Sequence, residues 1–489
     1  MKNLTALDYS VLFFYLSVIA LIGSAFYRGG ESLKGYLLAG QEMKWYVAAL
    51  SIVATLFSGI TYLGAPAFAY ANNLTLLLSG LTIPLVIPII TRLFVPVFYA
   101  VGVFSAYEYL EKRFDGRVRA SASLLFLLLR CSYLAIVIYA PSLVLSLITG
   151  LPVVESILLI GLVTTIYTFL GGARGVIWTD FMQFFVFTST MVLILAKLLE
   201  GVGGEISEAL RVADEHGRLK VVDFRLDLYN MQSVWGILLG GAFINLSTYG
   251  VDQITIQRYL TTPSPQHAQR ALLMNSVIVI LMLFCLYAIG IGLFVFYQKN
   301  PDRLVPLPVS DSILPYFVVH ELPRGIPGLF TASLFAAVMS TVSSALNSLT
   351  TISVVDFYSR YFKIHIPHMR DLVVSRFLTL IWGAVATALA LFIGRWGTLI
   401  EASLTVNSFF GGVLLGVFLL GIGTKRANAR GALFGLLIGM GLLIITATMT
   451  KISFFWYSPL GCGLTFLAGY AVSLWGAPVG NEEEQFCPG

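Results

Sequence analysis

The densest run of polar side chains in this 489-residue chain lies inside an apolar stretch, Phe330 to Ser348, which carries Thr331, Ser333, Ser340, Thr341, Ser343, Ser344, Asn347 and Ser348. Wound as a helix, the stretch places Ser340, Ser344 and Asn347 on one face, with Thr341 and Ser348 beside it. Hydroxyl oxygens so arranged are hard ligands, suited to sodium once a nearby broken helix adds backbone carbonyls. The same hydroxyls also have a structural use, bonding back to carbonyls one turn earlier, as Ser and Thr do in membrane helices. A second candidate is Asp180, at the end of Gly171-Gly172-Ala173-Arg174-Gly175-Val176-Ile177-Trp178-Thr179-Asp180. A carboxylate at membrane depth is costly and marks a functional site; the structural alternative is a partly wetted residue near a helix start, where it favours the dipole. Asp252 and Asp356 fall near cytoplasmic ends of apolar runs and Glu401 near an outer end, so these three read as interfacial.

The elements that must position these groups are membrane helices. The chain is 57% hydrophobic and 11% charged, against about 25% charged residues in globular domains. A bilayer core needs roughly 20 apolar residues per helical span, and such runs follow one another with short polar breaks. The net charge of +5 is small, and the basic residues flank the apolar runs, so nucleic-acid binding is not expected. Cys131, Cys285, Cys462 and Cys487 are scattered and read as packing residues, without metal or disulfide spacing. The five histidines never pair at ligand spacing and no P-loop occurs, which argues against an ATP-driven pump and an intramembrane enzyme. The first run, from Leu7, is too long for a signal-peptide core and is expected to stay in the mature protein.

About thirteen spans are legible, at 7–27, 46–72, 75–103, 120–148, 153–173, 176–199, 232–259, 271–298, 326–360, 372–394, 399–424, 429–449 and 453–476. Lys and Arg concentrate in alternate loops, first Arg28, Lys34 and Lys44, then Lys112, Arg113, Arg117 and Arg119. Arg258 with Arg270, then Arg360, Lys363 and Arg370, then Lys425, Arg426 and Arg430 continue the series. The positive-inside rule puts these loops in the cytoplasm, the N-terminus outside, and the C-terminus with its tail 477–489 inside. Two spans are rich in helix-breaking residues: 46–72 holds Ser51, Thr55, Ser58, Gly59, Thr61, Gly64 and Pro66, and 232–259 holds Gly240, Gly241, Asn245, Ser247, Thr248 and Gly250. Matching interruptions five spans apart point to two inverted halves, each opening with a discontinuous helix beside a midplane site. Close packing through small residues is the structural alternative.

At these residues the chain resembles the sodium:solute symporter family. The resemblance is carried by Ala54 to Gly59 with Leu63-Gly64-Ala65-Pro66, by Tyr107-Glu108-Tyr109-Leu110-Glu111-Lys112-Arg113-Phe114, and by Gly171-Gly172 leading to Trp178-Thr179-Asp180 and Gln183. It continues through Asp252-Gln253, Gln257-Arg258-Tyr259, and Ala336-Ala337-Val338-Met339-Ser340-Thr341 to Asn347-Ser348. It implies an all-α membrane protein of two inverted five-helix repeats with discontinuous first helices, at 46–230 and 232–424, after a leading helix at 7–27 and before two trailing helices within 429–476.

The resemblance also implies a function. The chain is expected to be a cell-membrane symporter that uses sodium to import a small solute by alternating access. Its conserved sodium site would use the carbonyls of Ala54, Phe57 and Ala337 and the hydroxyls of Ser340 and Thr341. A second sodium, as some members bind, would use Asp180, Ser340, Ser343 and Ser344, giving two ions per cycle. Ala135-Ile136-Val137-Ile138-Tyr139-Ala140-Pro141-Ser142 and Tyr457-Ser458-Pro459-Leu460-Gly461 look closest to the branch carrying monocarboxylates, vitamins and iodide, which suggests a small anion. Bacterial sialic-acid symporters are also similar; where they carry a carboxylate-binding arginine this sequence has Tyr133, with Arg130 one turn away, usable only with a shift of register. Thr55, Ser58, Thr61, Asn245, Thr248 and Tyr249 would face the substrate cavity. Sialic acid, a sugar or polyol, and a proton-coupled carrier of the same fold are the alternatives; a proton-coupled carrier would be expected to lose the sodium-site hydroxyls, which are present here.

Overall fold

The computed structural model describes residues 4–25, 33–202, 206–307, 309–361, 368–393 and 399–475. The tail 477–489 with Cys487, and the loop residues Arg28 and Lys363, lie outside the described residues. The principal helices in chain order are α1 (Ala6–Ala25), α2 (Trp45–Leu56), α3 (Gly59–Ala71), α4 (Gly116–Thr149), α5 (Val153–Gly201), α6 (Val234–Gly250), α7 (Gln253–Leu260), α8 (Pro265–Lys299), α9 (Ile326–Ile352), α10 (His368–Ala390), α11 (Leu399–Gly423), α12 (Ala429–Met449) and α13 (Tyr457–Leu474). Every regular element among the described residues is helical, as apolar surroundings demand, because a helix pairs its own backbone polar groups.

Nine helical segments among the described residues are long and apolar enough to cross a bilayer, or eleven when each of two bent pairs counts as one span. The expected count of thirteen differs at two places. The runs 153–173 and 176–199 are joined in one helical assignment, α5, of 49 residues. Its one non-helical residue is Gly172, at φ 55° and ψ −169°. At 1.5 Å per residue a straight helix of that length would reach about 74 Å, more than twice a bilayer core, so the turn at Gly172 is what lets the segment fit. A Cβ on Gly172 would come 2.8 Å from the ring of Tyr36, and the positive φ independently favours glycine. The other place is 453–476, where α13 spans 18 residues and is not among the segments that qualify.

The bent pairs are the two runs rich in small residues, α2 with α3 at 61° and α6 with α7 at 49°. The centre of the bundle is α9, every residue of which from Phe330 to Ile352 is buried, whereas α1 lies at the periphery with Phe13 and Phe14 exposed. That order explains how α9 tolerates so many hydroxyls: no lipid meets them, and protein acceptors lie within reach. Asp8 ties α1 to the start of α9 by accepting the backbone N–H groups of Gly325 (2.9 Å) and Gly328 (2.8 Å).

Two motif blocks prove structural. Glu108 accepts the N–H groups of Phe104 and Ser105 at 2.8 Å each, closing the capping box of the helix Ala106–Arg113, a reciprocal satisfaction of free donors. Gln253 bonds the same corner, accepting from Ala106 N–H at 2.8 Å and donating to the Phe104 carbonyl at 2.9 Å.

Candidate functional site

The α2 helix stops because Phe57 (φ −85°, ψ 71°) and Ser58 (φ −72°, ψ 165°) leave helical geometry. A helix end leaves its last carbonyls without intrahelical partners. Here they are met from α9. The Ser340 hydroxyl donates to the Ala54 carbonyl at 2.8 Å and to the Ala337 carbonyl at 3.0 Å. The Thr341 hydroxyl donates to the Thr55 carbonyl at 2.9 Å and to the Ala337 carbonyl at 3.1 Å. Ala54, Ala337 and Ser340 are fully buried. Close approach of α9 to the start of α3 depends on Gly59, where a Cβ would lie 2.7 Å from Val338 Cγ2. Four of the five expected sodium-site residues are thus joined by hydrogen bonds, and Phe57 stands at the break itself. Rotation of the two hydroxyl hydrogens away from the carbonyls would turn these oxygens toward one cation.

One turn further along α9, Ser344 meets Asp180. Asp180 Oδ2 accepts from Ser51 at 2.7 Å, from Thr55 at 3.3 Å and from Ser344 at 3.4 Å. Arg258, from α7, places Nε 3.6 Å from Asp180 Oδ2 and donates from Nη2 to the Ser344 hydroxyl at 2.5 Å. Asp180 is completely buried, and its Oδ1 has no hydrogen-bond partner. Of the other residues expected here, Ser340 is turned to the Ala54 carbonyl and Ser343 donates to the Ser340 carbonyl at 3.1 Å. Ser51, Thr55 and Arg258 are the partners that sequence reasoning missed. Ser51 and Thr55 share one helical face at i, i+4, a signal present in the sequence. Arg258 reads from the sequence as a loop cation; it is 1% exposed because the acid on α5 receives it. Asp252 and Asp356, read as interfacial, are likewise buried, Asp252 against Arg130 and Asp356 against Arg119 at 2.5 Å.

At the α2–α3 break lies a cavity of about 200 Å³ bounded by Phe57. Thr61, Asn245, Thr248 and Tyr249 line it, together with Tyr133, Arg130, Ser403 and Asn407. Thr55 and Ser58 do not line it, contrary to expectation. Thr55 is turned to Asp180 and Ser344, whereas Ser58 caps α3 by accepting the Thr61 N–H at 3.4 Å. Thr55 still belongs to α2 and shares the Ser51 face turned to Asp180, whereas Ser58 lies at the break itself and is used as the cap of α3.

Residues 36–439 match the sodium:solute symporter family. The chain belongs to that family. Membership makes it a transporter, not an enzyme, with sodium as its coupling ion. Among curated relatives of this symporter, the bovine sodium-coupled monocarboxylate transporter 2 (Bos taurus) is 34% identical over 95% of the chain and 77% of its own length. The sodium/sialic acid symporter SiaT of Proteus mirabilis is 32% identical over 95% of the chain and 94% of its own length. A solved substrate-bound, outward-open structure of a Na+-coupled sialic acid symporter superposes with a TM-score of 0.91 at 31% identity, covering 97% of this chain and 99% of that one. A closed structure of Mhp1, a nucleobase-cation-symport transporter, shares the fold at a TM-score of 0.58 and 14% identity.

Proposed function

We propose that this symporter imports a small carboxylate-bearing anion, monocarboxylate-like in size, with two sodium ions per cycle. The observation that carries the sodium part is the pairing of the Ser340 and Thr341 hydroxyls with the orphan carbonyls of Ala54 and Thr55 at the helix break. Sodium held by Ala54, Phe57, Ala337, Ser340 and Thr341 would join α2 to α9 and complete the wall of the cavity that Phe57 lines. Asp180, with its free Oδ1, would hold the second ion with help from Ser344 and the hydroxyl layer of Ser340 and Ser343. Binding then biases the α2–α3 and α9 assembly toward closure from outside, and release follows at low internal sodium. We read the fold as thirteen crossings in two inverted repeats, 46–230 and 232–424, with the N-terminus outside and the C-terminus cytoplasmic in the cell membrane.

A small anion is favoured by the cavity volume of about 200 Å³ and by Arg130 in its wall. A sugar acid is the second reading, supported by the close superposition on a sialic acid symporter. Two sodium ions with one monovalent anion move net charge, so transport would be electrogenic, gaining about 2.3 kcal/mol per charge per 100 mV. The test is uptake into proteoliposomes of lactate, propionate, nicotinate, sialic acid, iodide and glucose, with sodium or potassium outside. Sodium-dependent accumulation of one small anion with an inward current is expected. Equal uptake in potassium would overturn the sodium coupling, and electroneutral uptake would overturn the stoichiometry.

A further inference from the structure

The loop that leads from the helix Ile206–Glu215 into α6 turns large apolar side chains outward. Phe224 is 73% exposed, Leu226 78% and Tyr229 67%, and Trp235, in the first turn of α6, is 50% exposed. Water penalises such a cluster, and exposed apolar patches mark contact with a partner or a membrane.

The backbone of this loop is held in place. The Val234 N–H donates to the Asp223 carbonyl at 2.9 Å, the Trp235 Nε1–H to the Phe224 carbonyl at 3.2 Å, and the Ser233 hydroxyl to the Arg225 carbonyl at 2.8 Å. The Ser453 N–H, from the turn before α13, donates to the Leu228 carbonyl at 2.9 Å. The Asp223 carboxylate, in turn, accepts from Lys220 at 3.0 Å and from Arg225 at 2.6 Å. Four carbonyls of an irregular segment, those of Asp223, Phe224, Arg225 and Leu228, are thus met by protein donors. Backbone paired in this way can lie where water is scarce.

The position of the loop along α6 says what covers it. Trp235 opens a stripe that continues through Leu238 and Leu239, both exposed, on one face of α6 at i, i+3 and i+4. With α7, α6 is long and apolar enough to cross a bilayer, so its exposed leucines face lipid hydrocarbon. Before Trp235 stand the exposed charges Arg225 and Asp227. The boundary between hydrocarbon and water therefore falls between Arg225 and Leu238, where Tyr229 and Trp235 lie. Tyr and Trp are the side chains that favour a membrane interface.

We propose that Phe224, Leu226 and Tyr229 insert into the headgroup region of the bilayer beside Trp235, making this loop a lipid anchor at the start of α6. The partner is lipid and not a second copy of this chain, because the patch runs without a break into the lipid-facing stripe of α6. The anchor sets the depth of the helix that supplies Asn245, Thr248 and Tyr249 to the cavity.

The experiment uses full-length protein in phosphatidylcholine proteoliposomes, with alanine at the four native cysteines. The fluorophore NBD is placed on Leu226→Cys or, as the aqueous reference, on Glu215→Cys, an exposed position at the end of the helix Ile206–Glu215. Leu226 is exposed, so its replacement leaves the core intact. Emission from Leu226→Cys should be blue-shifted and should lose the iodide quenching that Glu215→Cys shows. It should be quenched more by lipids with a nitroxide near the headgroup than by lipids with one near the chain end. Iodide quenching equal at both positions, with none by lipid, would put the loop in water and overturn the inference. Shielding from iodide and from both lipids would mean that a second copy of this chain covers the loop, which also overturns it. Should the cysteine-free chain fail to fold in a thermal scan, Phe224→Trp against wild type, with brominated lipids and iodide as quenchers, gives the same reading with every native cysteine in place.

Discussion

Replacing Asp180 with Asn separates a carboxylate that serves a second sodium from one that only neutralises Arg258. Asn keeps the volume and can still accept from Ser51, but it removes the charge. Arg258, whose Nε lies 3.6 Å from Asp180 Oδ2, becomes a lone buried cation, at a cost of about 3–5 kcal/mol. A sodium ion near Oδ1 loses an attraction of about 4 kcal/mol at an effective dielectric of about 20, which is about a thousandfold in affinity. The second ion should therefore be lost at any ordinary sodium concentration, and uptake should depend on sodium hyperbolically, with a Hill coefficient of about one. Destabilisation alone would reduce the amount of active transporter without changing the shape of that curve. The double variant Asp180→Asn with Arg258→Gln buries no charge, so most of the thermal stability should return while the curve stays hyperbolic. The assay is initial uptake against sodium at constant ionic strength, with thermal unfolding of the same preparations. A sigmoidal curve retained in the double variant would refute the reasoning.

Gly59→Val places side-chain atoms where a Cβ already lies 2.7 Å from Val338; overpacking should cost about 1–3 kcal/mol and raise the sodium concentration for half-maximal uptake, whereas the same change at Gly441, which has nothing near it, should do neither. Asp223, in the loop before α6, is held well below the usual carboxylate range by hydrogen bonds from Arg225 and Lys220. A depressed carboxylate contributes stability above its unfolded value of about 3.9 and loses it as pH falls through the lower folded value. The protection of the Val234 amide, its exchange relative to the intrinsic rate at each pH, should thus stay constant from about pH 7 to about pH 5 and fall only in stronger acid, since this amide donates to the Asp223 carbonyl at 2.9 Å, while Asp223→Asn should lower it already at neutral pH.

The polar face of α9 was legible because hydroxyls stand out in an apolar run; its burial on every side was not, because the helices packed around it decide that. The α2–α3 interruption was legible in Ser58-Gly59, but its consequences for facing were not. Ser58 sits at the break, where helical rotation no longer applies and its hydroxyl caps α3, while Thr55 follows the Ser51 face of α2 and was misassigned because its partner Asp180 is distant in sequence. Arg258 was misread likewise: hydropathy places an arginine after an apolar run at the membrane edge, and only a partner far along the chain, Asp180, decides otherwise. Asp252 and Asp356 follow the same rule, each buried by an arginine from another helix. Pairing across the bundle is tertiary information, and no local pattern in a single sequence encodes it. The Gly171-Gly172 turn shows the converse: two spans were legible from composition, while helical backbone continues up to both sides of Gly172.

The most direct test of the central claim is equilibrium binding of radioactive sodium to the purified protein, wild type and Ser340→Ala, with potassium as competitor. Ser340 supplies the hydroxyl that spans Ala54 and Ala337, and losing one liganding oxygen should weaken binding about tenfold, the worth of about 1.4 kcal/mol. Saturable binding that potassium does not displace, weakened in Ser340→Ala, is the expected result. Sodium binding of unchanged affinity in Ser340→Ala would place the coupling ion elsewhere and contradict the account.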